Sequence, residues 1–160
     1  MKTGYLMNYW LLKSEPEVFS IDDLAAAPKQ TAAWDGVRNF QARNMLRDSI
    51  AKGDQAFFYH SSCAVPGIAG IVSIVKGGYP DVTAFDPKHD HYDMQSKRDA
   101  PRWFVVDVKL QRKFARIITL EELRAHAGKR LDEFVLLRRG NRLSVMPVSK
   151  KDWQFILDLE

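Results

Sequence analysis

The sequence predicts an α+β domain that is mostly β: a small curved sheet or barrel of five or six strands with helices at its ends. Three observations support this prediction. Short segments rich in apolar and β-branched residues alternate with glycine, proline and polar turns. Short helical segments begin at Ser or Thr residues that can act as N-caps. The elements show no strict β-α-β alternation, so a doubly wound parallel sheet is not expected.

The first predicted elements are a buried strand and two helices. Tyr9–Leu12 is a nearly continuous apolar run, which is typical of a buried strand. Ser20-Ile21-Asp22-Asp23 resembles a capping box and predicts a helix over 20–27. A predicted loop, 28–31, follows this helix. The hydrophobic period becomes helical at Asn39, which predicts a second helix over 38–51.

Two predicted strands and an irregular segment occupy the middle of the chain. Ala56–His60 and Ile68–Val75 are rich in residues that favour strands. Gly70 lies inside the second strand and marks a bulge or a close approach by another group. Gly77-Gly78-Tyr79-Pro80 is expected to end that strand, and Asp81–Arg102, with many acidic residues, is expected to form a long surface loop.

The last third of the chain contains two more strands and at least two helices. Trp103–Leu110 alternates between apolar and polar residues, which indicates a half-buried strand. Thr119 opens a capping-box sequence that predicts a helix over 119–127. Asp132–Arg139 is a candidate for a further helix, and Asn141–Val148 is the predicted closing strand. Ser149 then begins a last helix over 149–158.

Length and composition indicate one globular domain. The 160 residues, 46% hydrophobic and 28% charged, suffice for one core, and we assign residues 8–158 to it after an N-terminal extension of residues 1–7. Cys63 is the only cysteine, which excludes an internal disulfide. No apolar run is long enough to cross a bilayer. The sequence therefore predicts a cytoplasmic protein with no membrane partner.

The net charge of +4 is unevenly distributed. The segment from Lys109 to Lys151 holds twelve Lys and Arg against four Asp and Glu. This surplus predicts a basic face toward an anionic partner, with a solvated surface as the alternative. The predicted phosphate contacts are Arg38 and Arg43 in the second helix, with Arg138, Arg139 and Arg142 before the closing strand.

Catalytic and metal-binding signatures are sparse. The chain lacks a Gly-x-Ser-x-Gly elbow, a phosphate loop, Gly-x-Gly-x-x-Gly and His-Glu-x-x-His. His60 lies beside two hydroxyls and a thiol, but neighbours on a strand point to opposite faces, which favours a polar pocket lining over a nucleophile–base pair. The loop with His89 and His91 has loose ligand spacing, which favours a solvated loop over a metal site. No metal or cofactor is predicted.

Aromatic and small polar residues at the predicted strand ends are the notable feature of this sequence. Aromatic faces stack on flat bases, and Ser, Asn and backbone groups bond to base edges. If these side chains converge, their pocket would fit an extruded nucleobase. The residues concerned are Ser14, Trp34, Asn39, Tyr59, His60, Tyr79, Phe85 and Trp103.

Several motifs resemble those of the EVE domain. They are Lys13-Ser14-Glu15-Pro16, the segment 34–44 that begins Trp-Asp-Gly-Val-Arg-Asn, Phe58-Tyr59-His60-Ser61, Pro66–Gly70, Tyr79-Pro80-Asp81 with Phe85-Asp86-Pro87, and Asn141–Val148. The matches extend over nearly the whole chain. The resemblance implies a PUA-like fold, a small β-barrel with peripheral helices, related to the YTH domain. It also implies a function: the domain would recognise a modified base in DNA or RNA and would catalyse no reaction on it. Such a base could be methylated or hydroxymethylated cytosine, or methyladenine.

The resemblance also implies particular pocket residues. In YTH domains a Trp that follows the strand ending in Lys-Ser helps to cage the methylated base, so Trp34 is the expected stacking wall. The other implied positions are Ser14, Asn39, Tyr59, His60, Ser61, Tyr79, Phe85, Ser144, Val145 and Met146. Related barrel folds occur in RNA-modifying enzymes as well. The alternative is therefore an enzyme acting on modified nucleotides or RNA, with His60 and a nearby carboxylate.

Overall fold

A six-stranded sheet organises the computed structural model, which describes residues 7–160. The predicted N-terminal extension, residues 1–7, lies outside the described residues except for Met7. The neighbours β1 and β3 run parallel, and the other paired strands run antiparallel in the order β2-β5-β4-β3-β1-β6. The strands are β1 (Tyr9–Ser14), β2 (Thr31–Ala33), β3 (Gln55–His60), β4 (Gly67–Pro80), β5 (Phe104–Thr119) and β6 (Val145–Val148).

The α+β class is confirmed, but the sheet is not closed into the expected barrel. Within residues 7–160, β2 and β6 are the outer strands and do not pair with each other. The two longest strands, β4 and β5, shift register at several points along their shared ladder. Such bulges bend strands and increase their twist. This long, irregular pair therefore curves the sheet without closing it.

The four predicted helices are confirmed, the first three with shorter bounds and the last shifted by one residue. They are α1 (Ile21–Ala26), α2 (Phe40–Asn44), α3 (Leu120–Arg124) and α4 (Lys150–Leu159). A π-helical turn, Met45–Ser49, continues α2, and Val82–Phe85 forms a 3₁₀ turn. Ser20 and Asp23 form a reciprocal capping box at α1. The candidate helix over Asp132–Arg139 was wrong, because only Val135–Leu137 forms a 3₁₀ turn there.

Close backbone approaches explain why two glycines lie inside β4. A Cβ atom at Gly70 would overlap the Arg112 carbonyl, and one at Gly78 would overlap the Leu46 carbonyl. The close approach predicted at Gly70 is thus confirmed. The strand end predicted at Gly77–Pro80 was wrong, since these residues continue the ladder with β5. β2 was missed because three residues are too short to show a period.

The sheet separates two hydrophobic clusters, and β1 and β3 contribute to both. Leu12 and Phe58 belong to the first cluster, whereas Leu11 and Phe57 belong to the second. This division follows from the alternation of side chains along a strand. α1 and the segment after β2 cover the first side, and α3 and α4 cover the second. No helix within residues 7–160 has the length and apolar character needed to cross a membrane.

Candidate functional site

A cleft of about 660 Å³ opens on the first side of the sheet, where β1 ends. Its volume lies within the range of about 300–1,000 Å³ that is usual for small-molecule sites. The wall combines the end of β1, the residues before α1, β2 with the segment after it, the 89–91 loop and the residue before β6. The lining residues are Lys13, Ser14, Val18, Phe19, Ala32, Ala33, Trp34, Asp35, Gly36, Val37, Arg38, His89, Asp90, His91 and Ser144.

Trp34 is both a wall of the cleft and a member of the core. Its backbone N–H donates to the Val106 carbonyl at 2.8 Å, which extends the pairing of β2 with β5. Its ring lies edge-on to Phe58, with centroids 5.2 Å apart, and edge-on to Phe19 at 6.3 Å. Only 6% of the residue is exposed. Most of the indole therefore packs inside the protein, and a small part faces the cleft.

The polar end of β1 is held by hydrogen bonds on each side. The Ser14 hydroxyl donates to the Phe19 carbonyl at 2.6 Å, and the Ser14 carbonyl accepts from the Ser61 N–H at 2.9 Å. The Lys13 N–H donates to the Ser144 carbonyl at 2.8 Å. The Ser14 oxygen keeps acceptor capacity after donating its proton. Ser14 and Ser144, two of the positions that the resemblance implied, thus both line the cleft, and their role in base binding stays a prediction.

A buried carboxylate, Asp81, holds residues of the cleft wall in place. It accepts hydrogen bonds from the Gly36 N–H at 3.0 Å, from Arg38 Nη1 at 3.0 Å, and from the backbone and hydroxyl of Thr83. Burial alone would raise the pKa of Asp81, but these donors hold its pKa below the ordinary value. Asp81 therefore ties the segment after Trp34 to the 81–93 segment as a charged acceptor.

Arg38 extends this connection to the 89–91 loop. Its Nη2 donates to the His91 carbonyl at 2.7 Å, and its Nη1 also donates to the Val37 carbonyl at 3.0 Å. The guanidinium lies 5.3 Å from the centroid of the Trp103 ring. The side chain is 25% exposed. Arg38, a predicted phosphate contact, thus lines the cleft while holding its loops together.

The 89–91 loop closes over the glycine turn that follows Trp34. Gly36 has a φ of +78°, and a Cβ atom there would lie 2.7 Å from His91 Nε2. Gly36 is thus required both by its conformation and by the imidazole above it. Burial raises the pKa of the Asp35 carboxyl, which lies 3.9 Å from His91 Nδ1. Part of the segment expected to be a surface loop is therefore a wall of the cleft.

Several residues predicted for the pocket do not line the cleft. Asn39 caps α2, with its Oδ1 accepting from the Ala42 N–H at 2.9 Å. Tyr59 is buried in the second cluster, and Tyr79 donates its hydroxyl proton to Asp107. Phe85 lies under the Arg98 guanidinium, with 4.8 Å to the ring centroid. Ser61, Val145 and Met146 belong to the neighbouring strands or their ends, and all these roles in base binding stay predictions.

The predicted arginine contacts are spread over different surfaces. Arg43 donates from Nη1 to the Arg102 carbonyl at 2.6 Å. Arg138, Arg139 and Arg142 are exposed, and Arg138 lines a second cavity of about 410 Å³ beside α4. Other cations of the basic segment have local partners: Arg112 with Glu160, Lys113 with Asp22, Arg116 with Glu122, and Lys151 with Asp132. The charge surplus is therefore partly neutralised where it arises.

His60 is engaged in the fold rather than directed into the cleft. Its Nε2 accepts a hydrogen bond from the Ile21 N–H, at the start of α1, over 3.1 Å. This contact requires that Nε2 carries no proton, because it uses the lone pair of that nitrogen. Burial lowers the pKa of His60 from its ordinary value of 6.5. The imidazole therefore satisfies one of the unpaired N–H groups at the start of a helix.

This arrangement predicts a pH dependence of stability. Because the folded pKa of His60 is lowered, the unfolded chain binds the proton more readily, and the free energy of unfolding should fall as pH drops below about 6.5. Urea unfolding of the wild type and of His60→Gln between pH 7.5 and 5 measures this loss. The Gln variant should lose less stability over that range. If the free energy of unfolding fell equally with pH in both proteins, His60 would not be held neutral in the folded state.

The cleft also contains residues that were not predicted from the sequence. Phe19, Asp35, His89 and His91 line it, but none of them was among the predicted pocket residues. Asp35 and Gly36 were within reach of prediction, since they follow Trp34 directly. The histidines were not, because their position depends on the contacts of Arg38 and Asp81. Among residues 7–160 no group of three or more His, Cys, Asp or Glu could hold a metal ion.

Comparison with known proteins agrees with the fold and with the motifs. The EVE domain model matches residues 8–159. Thymocyte nuclear protein 1 of Mus musculus is 50% identical over 97% of this chain and 74% of its own length. The crystal structure of human THYN1 protein in complex with 5-methylcytosine-containing DNA is 49% identical, with a TM-score of 0.89, over 95% of this chain and 96% of the other. A crystal structure of a Pseudomonas putida protein is 48% identical, with a TM-score of 0.89, over 94% of this chain and 98% of the other.

Proposed function

The chain belongs to the EVE domain family, and on that premise we propose that it binds DNA carrying a modified base and catalyses no reaction on it. The base would occupy the cleft at the end of β1, with Trp34 as one wall. A modified cytosine is the first choice of base. RNA and methyladenine, which the sequence also allowed, are compared with it in the experiment below.

One observation carries this proposal. The human relative whose structure contains 5-methylcytosine DNA shares 49% of its sequence and nearly all of its fold with this chain. At this similarity the backbone that forms the cleft is expected to be the same in both proteins. The predicted cytoplasmic location is not supported in the same way, because relatives at about this identity are named nuclear proteins.

The chemistry of the cleft supports a cytosine ligand. A carboxylate accepts hydrogen bonds from the N4 amino group of cytosine. Asp35 lines the cleft and supplies such an acceptor, and the Ser14 oxygen supplies another. Phe19, Val18 and the exposed part of Trp34 form an apolar wall, against which a methyl group can pack. The cleft thus combines few polar groups with an apolar wall, as ligand sites usually do.

The position of His60 supports binding rather than catalysis. A general base needs a free lone pair within reach of the proton that it removes. The Nε2 lone pair of His60 accepts from the Ile21 N–H, and the residues that line the cleft do not include His60. The alternative enzyme, which depends on His60 and a nearby carboxylate, would first have to break this contact.

A binding panel tests the proposal. Fluorescence anisotropy would compare oligonucleotides that differ in one central base: cytosine, 5-methylcytosine, 5-hydroxymethylcytosine, adenine or N6-methyladenine, each in DNA and RNA. We expect at least about a fivefold preference for one modified cytosine in DNA over cytosine, which corresponds to roughly 1 kcal/mol. Equal affinity for all oligonucleotides would contradict the proposal. Analysis of the recovered nucleosides would detect any turnover and so favour the enzyme.

A further inference from the structure

An exposed phenylalanine stands beside the cleft on a fixed aromatic support. Phe40, the first residue of α2, is 52% exposed. Its ring stacks on the buried Trp103 ring, with centroids 4.9 Å apart and planes inclined by 26°. The Trp103 indole N–H donates to Asp93 Oδ2 at 2.7 Å, which holds the supporting ring in place. Phe40 therefore packs against a buried ring, although about half of the residue is exposed.

Two arginines flank this ring. The Arg43 guanidinium lies 5.0 Å from the Phe40 centroid, and the Arg102 guanidinium lies 6.0 Å from it. Within residues 7–160 Arg43 forms no ion pair with a carboxylate, and the nearest carboxylate oxygen to Arg102 is 3.9 Å away, on Asp93. Burial, followed by the charge of Arg47, lowers the pKa of Arg43, whereas the charge of the nearby Asp48 opposes this shift. The patch around Phe40 is thus aromatic and positively charged.

This patch lies close to a residue of the cleft wall, Arg38. Arg38 lines the cleft, and its guanidinium lies 5.3 Å from the centroid of Trp103, the ring on which Phe40 stacks. These two separations together span no more than about three base-pair steps, at roughly 3.4 Å each. A DNA strand whose base enters the cleft therefore passes near Phe40.

We propose that Phe40 stacks on a base of duplex DNA next to the base held in the cleft, while Arg43 and Arg102 bind the flanking phosphates. The inference rests on the proposed function and deepens it. A base that enters a pocket must leave the helical stack, and its neighbours then lose a stacking partner. An apolar side chain that inserts between base steps can replace that partner. The charges of the two arginines match those of the backbone on either side.

The test compares two ligands that differ in reach. A duplex with one central 5-methylcytosine can touch both the cleft and Phe40, whereas the nucleoside 5-methyl-2′-deoxycytidine can touch only the cleft. Phe40→Ala should weaken binding of the duplex about five- to a hundredfold, the usual loss for a base–aromatic stack, and leave binding of the nucleoside unchanged. Phe40→Trp should retain duplex affinity. Val65→Ala, at an apolar residue that is 56% exposed on another loop, is the matched control and should bind normally.

The arginines are tested through salt dependence. Arg43→Ala should reduce the slope of log affinity against log salt by about one, because one phosphate contact is lost. Arg130→Ala is the matched control, because the Arg130 guanidinium also lies over an aromatic ring, 4.5 Å from the centroid of Phe155. This control variant should leave the slope unchanged.

Duplex binding of Phe40→Ala at the wild-type level would overturn the inference, as would an equal loss of nucleoside binding. Failure of the wild type to prefer the modified duplex would instead overturn the proposed function, and the inference with it.

Discussion

Replacing Trp34 with alanine is expected to lower the free energy of unfolding by about 3–5 kcal/mol, the usual cost of truncating a buried aromatic residue. The ring is 6% exposed and packs edge-on against Phe58 and Phe19, so its loss would leave a cavity in the first cluster. For a domain of this size such a loss corresponds to a fall in melting temperature of roughly 6–20 °C. Thermal unfolding followed by circular dichroism measures it directly.

The same substitution is expected to weaken DNA binding in protein that is still folded. Trp34 lines the cleft, and removing a base–aromatic stack costs about 1–3 kcal/mol, or five- to more than a hundredfold in affinity. Trp34→Phe should retain much of the affinity, because a smaller ring keeps an aromatic face at the wall. Binding must be measured well below the melting temperature of each variant. A Trp34→Ala protein that melts early but binds a modified oligonucleotide normally would show that the base lies elsewhere.

The elements of the fold were largely predictable because their signals are local. The capping box at Ser20 and Asp23 depends on residues three apart, and α1 begins where it predicts. The buried run at the start of β1 needed no knowledge of its neighbours. The continuation of β5 was not predicted, since only Phe114 and Ile118 are buried in its largely polar second half. Its pairing with β4 sustains it there, and pairing is a non-local property.

Part of the cleft lining was predictable, because some of its residues lie within short sequence motifs. Trp34 and Ser14 were expected at a pocket, and both line the cleft. His91 was assigned to a surface loop, because nothing near it in sequence indicates that its ring covers Gly36. That position depends on Asp81 and Arg38, which are far apart in the chain. Closed barrel topology failed as a prediction for a similar reason, since closure depends on contacts between strands distant in sequence.

Asp81→Asn is expected to destabilise the protein by about 3 kcal/mol, near the low end for breaking a buried ion pair. The carboxylate is 1% exposed and accepts hydrogen bonds from Gly36, Arg38 and Thr83. The amide of Asn has an NH₂ group in place of one oxygen, and this group would face hydrogen-bond donors instead of accepting from them. The low end applies because Arg38 is 25% exposed and water screens its charge in part. Asp48→Asn is the matched control. Its partner Arg47 and Asp48 itself are both exposed, so that change should stay within about 0.5 kcal/mol.

The pH dependence separates the charge of Asp81 from its shape. The folded pKa of Asp81 is lowered, so its charge contributes stability that is present above the unfolded value of 3.8 and is lost as pH falls through the folded pKa. The stability difference between the wild type and Asp81→Asn, measured by urea unfolding, should therefore be constant from pH 7 to 5 and shrink below about pH 4. Because Asp81 and Arg38 also fix Gly36 and the 89–91 loop, the variant should bind a modified oligonucleotide more weakly while folded. A difference that does not change with pH would show that the charge of this carboxylate does not hold the cleft together.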